Sequence, residues 1–313
     1  KNLFTGGKQA AIGSFALNFQ TAVSARLDFE DNRIFSGLTS NGVWVQNTAA
    51  GSRVELAVSN NVVLDNRAHA MNITGSAAKF GTISGNWIGN SVPGVAGVNG
   101  FNIRQNGIIL SGAFDGLSVS HNSFTNIESA AISLYSDISG AISITGNQIN
   151  GYNNTTTTGA IFGRISNPVT PQDFSAVVVS GNSFSNRVGS SRAVSNRPGN
   201  TLTATNNWWG QASGPDAGQI YLEGSSQVVS MPYITSYTND PTKNGQPGFW
   251  PIDIGAASAL PASASEQVLE LSSVEGSPEL TVPASSTPVT VSVSVINPTD
   301  LPGEEIPFAL EDA

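Results

Sequence analysis

Arg104 and Arg164 each stand eighteen residues before an asparagine, Asn122 and Asn182, that sits in the same short phrase, and an aspartate follows each arginine, Asp115 and Asp173. A guanidinium offers a planar fork of donors to carboxylates and hydroxyls, and a carboxylate accepts from hydroxyls. Two such pairs on one surface are therefore the groups from which a groove for an acidic or neutral glycan is built. The competing reading is that all four are solvated loop charges or local ion pairs. Catalysis asks for more. Glycoside hydrolysis needs two carboxylates flanking the scissile bond, and no acidic cluster stands in the sequence, so a catalytic set would have to form by folding, as Asp137 with Asp115 or Asp173. No catalytic residue is assigned on this basis, and an enzyme is not the expectation. His69, in Asn66-Arg-Ala-His-Ala-Met71, has no neighbouring His, and the chain has no Cys, so no metal set and no cofactor are expected.

The elements that position these groups are read from a phrase that recurs seven times: Phe29-Glu-Asp-Asn32-Arg-Ile34, Val58-Ser-Asn-Asn61-Val-Val63, Ile83-Ser-Gly-Asn86-Trp-Ile88, Val119-Ser-His-Asn122-Ser-Phe124, Ile144-Thr-Gly-Asn147-Gln-Ile149, Val179-Ser-Gly-Asn182-Ser-Phe184 and Ala204-Thr-Asn-Asn207-Trp-Trp209. The asparagines lie 29, 25, 36, 25, 35 and 25 residues apart, a period that implies a solenoid. The residue before each is Asp31, Asn60, Gly85, His121, Gly146, Gly181 or Asn206, the types that tolerate a left-handed backbone, so the chain turns a corner there. His121 is thereby read as a corner residue. Apolar residues recur five and three before each asparagine, with Gly81 the exception, and share one face of a strand. Stacked coils bring the seven asparagines to about 4.8 Å from one another, where their amides bond as a ladder.

This pattern resembles the right-handed parallel β-helix of secreted and surface repeat proteins. The stretch Asn206-Asn207-Trp208-Trp209-Gly210 with Ser213-Gly214-Pro215 resembles their terminal coil, with Trp208 and Trp209 as its cap. The resemblance covers about residues 10 to 236. It implies an all-β solenoid, and its members include polysaccharide lyases, glycosidases, tailspikes and adhesins. The Asn-Thr-Asp, Asp-Asp and Gly-His-Gly phrases of β-helix pectinases are missing here, as are acidic calcium clusters. An adhesive or structural protein of the cell surface or extracellular space is therefore expected, with a carbohydrate-active β-helix as the alternative.

Coil lengths alternate, and the extra residues are expected twice at one place, within about 91–116 and 151–176, so that two loops emerge on one side. The Thr155 to Thr158 run reads as a polar loop, and Asn72-Ile-Thr74, Asn153-Asn-Thr155 and Asn154-Thr-Thr156 are glycosylation sequons.

Three parts are expected: a β-helix with cap over 1–254, a linker over 255–265, and a partial immunoglobulin-like or strand-donating segment over 266–313. The net charge of −9 comes from the last part. All thirteen basic residues and thirteen acids precede residue 262, and nine acids follow it. With no basic face, nucleic acid is not an expected partner. No apolar run is long enough to span a bilayer, so no direct membrane insertion is expected. The start at Lys1 without a leader fits a processed chain or a piece of a longer one. About fifty residues are too few to close an immunoglobulin sandwich, so self-association or a neighbouring β-rich domain is expected to complete it, with Val289 to Ile296 as the donated strand.

Overall fold

All seven corner residues have a left-handed backbone: φ is 55° at Asp31, 54° at Asn60 and His121, 55° at Asn206, and 64–67° at Gly85, Gly146 and Gly181. The turn they make lets one strand end and the next begin at a new angle with only the corner residue and the asparagine between them. The structure, a computed structural model, describes residues 3–5, 15–19, 24–35, 42–47, 51–64, 69–90, 106–154, 157–164, 172, 174–197, 199–235, 257–260, 267–270, 279–282 and 289–292. Among these there is no helix.

Each circuit of the chain, here a rung, lays down three strands, and every pairing between rungs is parallel. The first sheet begins just after each corner asparagine and runs through Leu3–Thr5, Arg33–Phe35, Val62–Leu64, Trp87–Gly89, Ser123–Thr125, Gln148–Asn150 and Ser183–Ser185. Trp208 adds an isolated bridge to Ser183. The middle sheet holds Phe15–Phe19, Val43–Asn47, Met71–Thr74, the first half of Asn106–Ser120, Ala130–Ser139, Gly159–Gly163, Arg192–Asn196 and Ile220–Leu222. The third leads into the next corner and holds Ser24–Glu30, Arg53–Ser59, Ala78–Ser84, the second half of Asn106–Ser120, Ile142–Thr145, Val177–Ser180, Thr201–Thr203 and Gln227–Val229. Together the sheets form a nearly closed, barrel-like wall of parallel strands, an arrangement compatible with a β-solenoid.

The interior is apolar because the period-two face of every strand points into it. Leu56, Leu117, Ile142, Val177 and Leu202, five before the asparagines, and Val58, Ile83, Val119, Ile144, Val179 and Ala204, three before, are buried. So are Ile34, Val63, Ile88, Phe124, Ile149, Phe184 and Trp209, two after. Gly81 breaks the first series for a physical reason: a Cβ there would collide with the backbone oxygen of Leu56 one rung away, at a φ of +103°. A second left-handed corner, not anticipated, stands four residues after the asparagines at Asn126, Gly151 and Asn186.

The asparagine ladder is continuous. Nδ2 donates to the next rung's Oδ1 at 2.8–3.0 Å from Asn32 through Asn61, Asn86, Asn122, Asn147 and Asn182 to Asn207. The backbone N–H of each of the first six donates to that same oxygen at 2.9–3.0 Å. From Asn61 onward the second Nδ2 hydrogen reaches the carbonyl three before the preceding asparagine, Phe29, Val58, Ile83, Val119, Ile144 or Val179. Thus a column of amides in an apolar interior has its donors and acceptors paired, which removes the penalty of burying them.

In the C-terminal part the backbone forms two antiparallel pairs. Ala257–Leu260 pairs with Val289–Ser292, and Gln267–Glu270 with Glu279–Val282. The range 255–265, read as a linker, therefore contains a strand, and the alternating Val289 strand finds its partner within this chain. Most of 266–313, and with it the immunoglobulin-like expectation, lies outside the described residues.

Candidate functional site

Arg164 lies at the mouth of the middle sheet, directly after Gly159–Gly163. Its guanidinium carbon is 4.2 Å from the centre of the Tyr135 ring. Asp115 is elsewhere, ion-paired at 2.5 Å with Arg53, whose guanidinium carbon sits 4.9 Å from the Phe80 ring centre. Both partners of that pair are more than half exposed, so it adds little to stability and occupies rather than offers the carboxylate. Arg104 and Asp173 lie outside the described residues.

Register overturns the expectation that the two insertions share one place. From the first sheet to the middle sheet, Val62 to Met71 spans nine residues, whereas the paired positions Trp87 and Ile108 are 21 apart. The whole first insertion thus enters before the middle strand. In the later rung, Ser123 to Ile132 spans nine and Gln148 to Ile161 thirteen, while Ile132 to Ile142 spans ten and Ile161 to Val177 sixteen. The larger share enters after the middle strand. Arg104 and Arg164 share a count from their asparagines yet fall on opposite sides of the middle strand in the chain, because equal counting does not survive insertions at different corners. In chain order the first insertion precedes the middle strand and the larger part of the second follows it.

The outward face of that sheet was not singled out by the sequence. Its continuous register sets Trp44, Asn72, Ile109, Ser133, Phe162, Ser195 and Tyr221 in one column, one residue per rung. These alternate with the core series Met71, Ile73, Ile108, Leu110, Ile132 and Leu134, so they point away from the core. Trp44 Nε1, Asn72 Oδ1 and Ser133 Oγ are nevertheless buried without a partner. Two positions further on, beside the corner, Tyr135, Arg164, Arg197 and Glu223 form a second, more accessible column, which does not continue to Ser111 because the register shifts after Leu110 and pairs Ser111 with Ser136. The third sheet presents a different exterior, with Thr82, Ser84, Ser118, Ser120, Ser143, Thr145 and Ser180 facing out.

Gln172 organises the second column. Its Nε2 donates to the Tyr135 carbonyl at 3.1 Å and to the Arg164 carbonyl at 2.5 Å, tying two rungs together, while Asn200 Nδ2 donates to its backbone oxygen. Phe174 fills the space beside Gly163, where a Cβ would lie 2.6 Å from its ring. One rung on, Arg197 donates to Glu223, which raises the already high pKa of the guanidinium.

Several other charged groups are engaged locally. Arg26 pairs with Asp28 at 2.7 Å and Glu55 at 2.6 Å, and Arg187 donates to both Asp216 oxygens at 2.9 Å. The latter fastens the loop after the last corner, with Gln219 Nε2 reaching the Trp209 carbonyl at 2.7 Å. Trp209 is buried, stacked on Phe184 at 5.1 Å, and Trp208 is half-buried. His121 is half-buried at its corner, and burial holds its pKa below the ordinary value. Of the sequon asparagines, Asn154 is held by Arg192, accepting from its N–H at 2.7 Å and donating to its carbonyl at 2.8 Å. Lys79 was missed altogether. It takes a core-facing place aligned with Val54 and Phe114, donates to the carbonyls of Gly75 and Ala77 at 2.5 and 3.0 Å, and lies 4.7 Å from the Phe114 ring centre. Burial lowers its pKa to about 8.

Among the described residues no group of three or more His, Cys, Asp or Glu is placed to hold a metal ion, and no helix is long and apolar enough to cross a membrane. No protein-family model, no curated protein and no solved structure matches the chain.

Proposed function

We propose that this chain is a structural and adhesive protein of the cell surface or extracellular space, its first 254 residues forming a right-handed parallel β-helix that acts as a stiff rod. The observation that carries the reading is the seven-membered asparagine ladder, which ties parallel rungs into an extended stack. The local pairing of Asp28, Glu55, Asp115, Asp216 and Glu223 with arginines supports a scaffold, since each carboxylate is turned to a neighbouring cation. The C-terminal segment, whose two-stranded pairs are too small to be stable alone, docks on another copy or on a further β-rich domain and links rods into a larger assembly.

The test is twofold. The full chain incubated with acidic and neutral polysaccharides is expected to release neither reducing ends nor unsaturated sugars. Light scattering is expected to show self-association that a chain ending at residue 254 has lost. Turnover abolished by changing Asp115 or Arg164 would establish the carbohydrate-active alternative, and assembly retained by the shortened chain would remove the connector role.

A further inference from the structure

Of the large apolar side chains exposed among the described residues, Val178 and Val229 stand in one column on the outer face of the third sheet. Register sets Thr82, Ser118, Ser143, Val178, Thr203 and Val229 in that column, one residue per rung. The column two residues further on is serine or threonine at every rung from Ser59 to Ser180. Neither carries a charge over these rungs. Asp28 and Glu30 extend the two columns only at the far end of the sheet, and Asp115 at its margin is held by Arg53.

We propose that this face is a homophilic contact, in which two copies of the chain pack third sheet on third sheet about a two-fold axis through Val178. The face is self-complementary in its chemistry. A hydroxyl both donates and accepts, so columns of serine and threonine satisfy others like themselves, whereas a charged partner would lose its hydration against valine and methyl groups without finding an ion to pair with. The position of the axis follows from the register. With Val178 on its own mate, Ser143 meets Thr203 and Ser118 meets Val229, an isologous contact, and Asp28 and Glu30 fall beyond the partner's last strand. The shared plane spans four rung steps of about 4.8 Å and strands of about 13 Å, roughly 250 Å² per copy, against about 800 Å² per partner in a standard interface. Free rods in dilute solution therefore stay apart, and the contact forms where many rods are held side by side, as at a surface.

The contact rests on the structural and adhesive reading and gives it a partner, a second copy. Because the chain has no cysteine, a single introduced one reports the contact in the full chain. Val178 and Val188 are matched for this, being 42% and 43% exposed, and Val188 is off the face, after the strand Ser183–Ser185. With a short bifunctional thiol crosslinker at high protein concentration, Val178→Cys is expected to give covalent dimer about tenfold faster than Val188→Cys. Salt is expected to leave that rate unchanged, since no ion pair is involved. Adding Thr203→Glu is expected to bring the Val178→Cys rate down to that of Val188→Cys, and Ser143→Glu, one rung to the other side, repeats the test should the first variant fold poorly. Equal rates at the two cysteines, a rate that collapses with salt, or a rate indifferent to both glutamates overturns the contact. Equal rates in a full chain that still assembles by light scattering would leave the rod and its C-terminal connector standing, whereas dimer at Val178 without larger assembly would support the face and remove the connector.

Discussion

Replacing Asn147 with leucine tests the ladder at its middle. The side chain accepts at Oδ1 from the Asn122 backbone N–H and from Asn122 Nδ2, both at 3.0 Å, and donates to Asn182 Oδ1 at 2.9 Å and the Val119 carbonyl at 2.8 Å. Leucine removes all four. Asn122 Nδ2 keeps the Ile83 carbonyl, and Asn182 Oδ1 keeps the Asn147 backbone N–H, so the losses fall hardest on the buried Asn122 N–H and the Val119 oxygen. Orphaning two buried groups costs about 1–3 kcal/mol each, and the added apolar burial returns roughly 1 kcal/mol. The expected net loss is about 1–5 kcal/mol, read as a lower urea midpoint at unchanged slope. Asn147→Asp separates hydrogen bonding from size. It keeps the acceptor but turns a carboxylate against the Asn182 and Val119 oxygens, so its pKa in the folded state is raised and the variant regains stability as pH falls. Asn153→Leu, at an exposed position, is the control and is expected within about 0.5 kcal/mol of wild type. A loss at Asn147 no larger than at Asn153 would refute the reasoning.

Lys79→Met is expected to stabilise the chain at pH 7: with a folded pKa of about 8 against 10.5 unfolded, the buried ammonium is unfavourable by up to about 3 kcal/mol, less what its two carbonyl bonds contribute. Because the folded pKa is the lower one, wild-type stability rises between about pH 8 and 10.5, and pH-dependent melts of the variant should lack that rise. His121→Val places a β-branched residue at φ 54° and is expected to cost about 1–2 kcal/mol in denaturant melts, whereas His121→Gly is tolerated and relieves the acid-side penalty of charging a half-buried imidazole. Gly81→Ala drives a Cβ against the Leu56 backbone at φ +103° and should cost about 2–5 kcal/mol in the same assay.

The corner was legible because three independent requirements meet there: a residue that tolerates positive φ, an asparagine that can pair with its own kind, and apolar neighbours at fixed offsets. Asp31 and His121 break no rule at that place, and Gly81 is explained by a backbone too close for any side chain. The second corner at Asn126, Gly151 and Asn186 obeys the same chemistry and was readable from asparagine or glycine four places on. The middle sheet was not. Its strands carry no punctuating residue, and insertions of different size enter on either side of it, so counting from the asparagines misaligned Arg104 with Arg164 and hid the column that joins Tyr135 to Arg164. Lys79 hid for the opposite reason, since a lysine at a strand's start reads as solvated until its register with Val54 is known. Ala257–Leu260 was read as linker because Ala-Ser-Ala-Leu has little strand propensity of its own and forms its pair only with a strand about thirty residues away.

The ladder can be observed directly in the asparagine side-chain amides of the full chain, selectively labelled with 15N, by following their hydrogen exchange. The account predicts a set of amide pairs, from Asn61, Asn86, Asn122, Asn147, Asn182 and Asn207, that exchange far more slowly than those of exposed asparagines such as Asn153, and that lose protection together on either side of an Asn147→Leu change. Exchange of these six at the rate of Asn153 would contradict it.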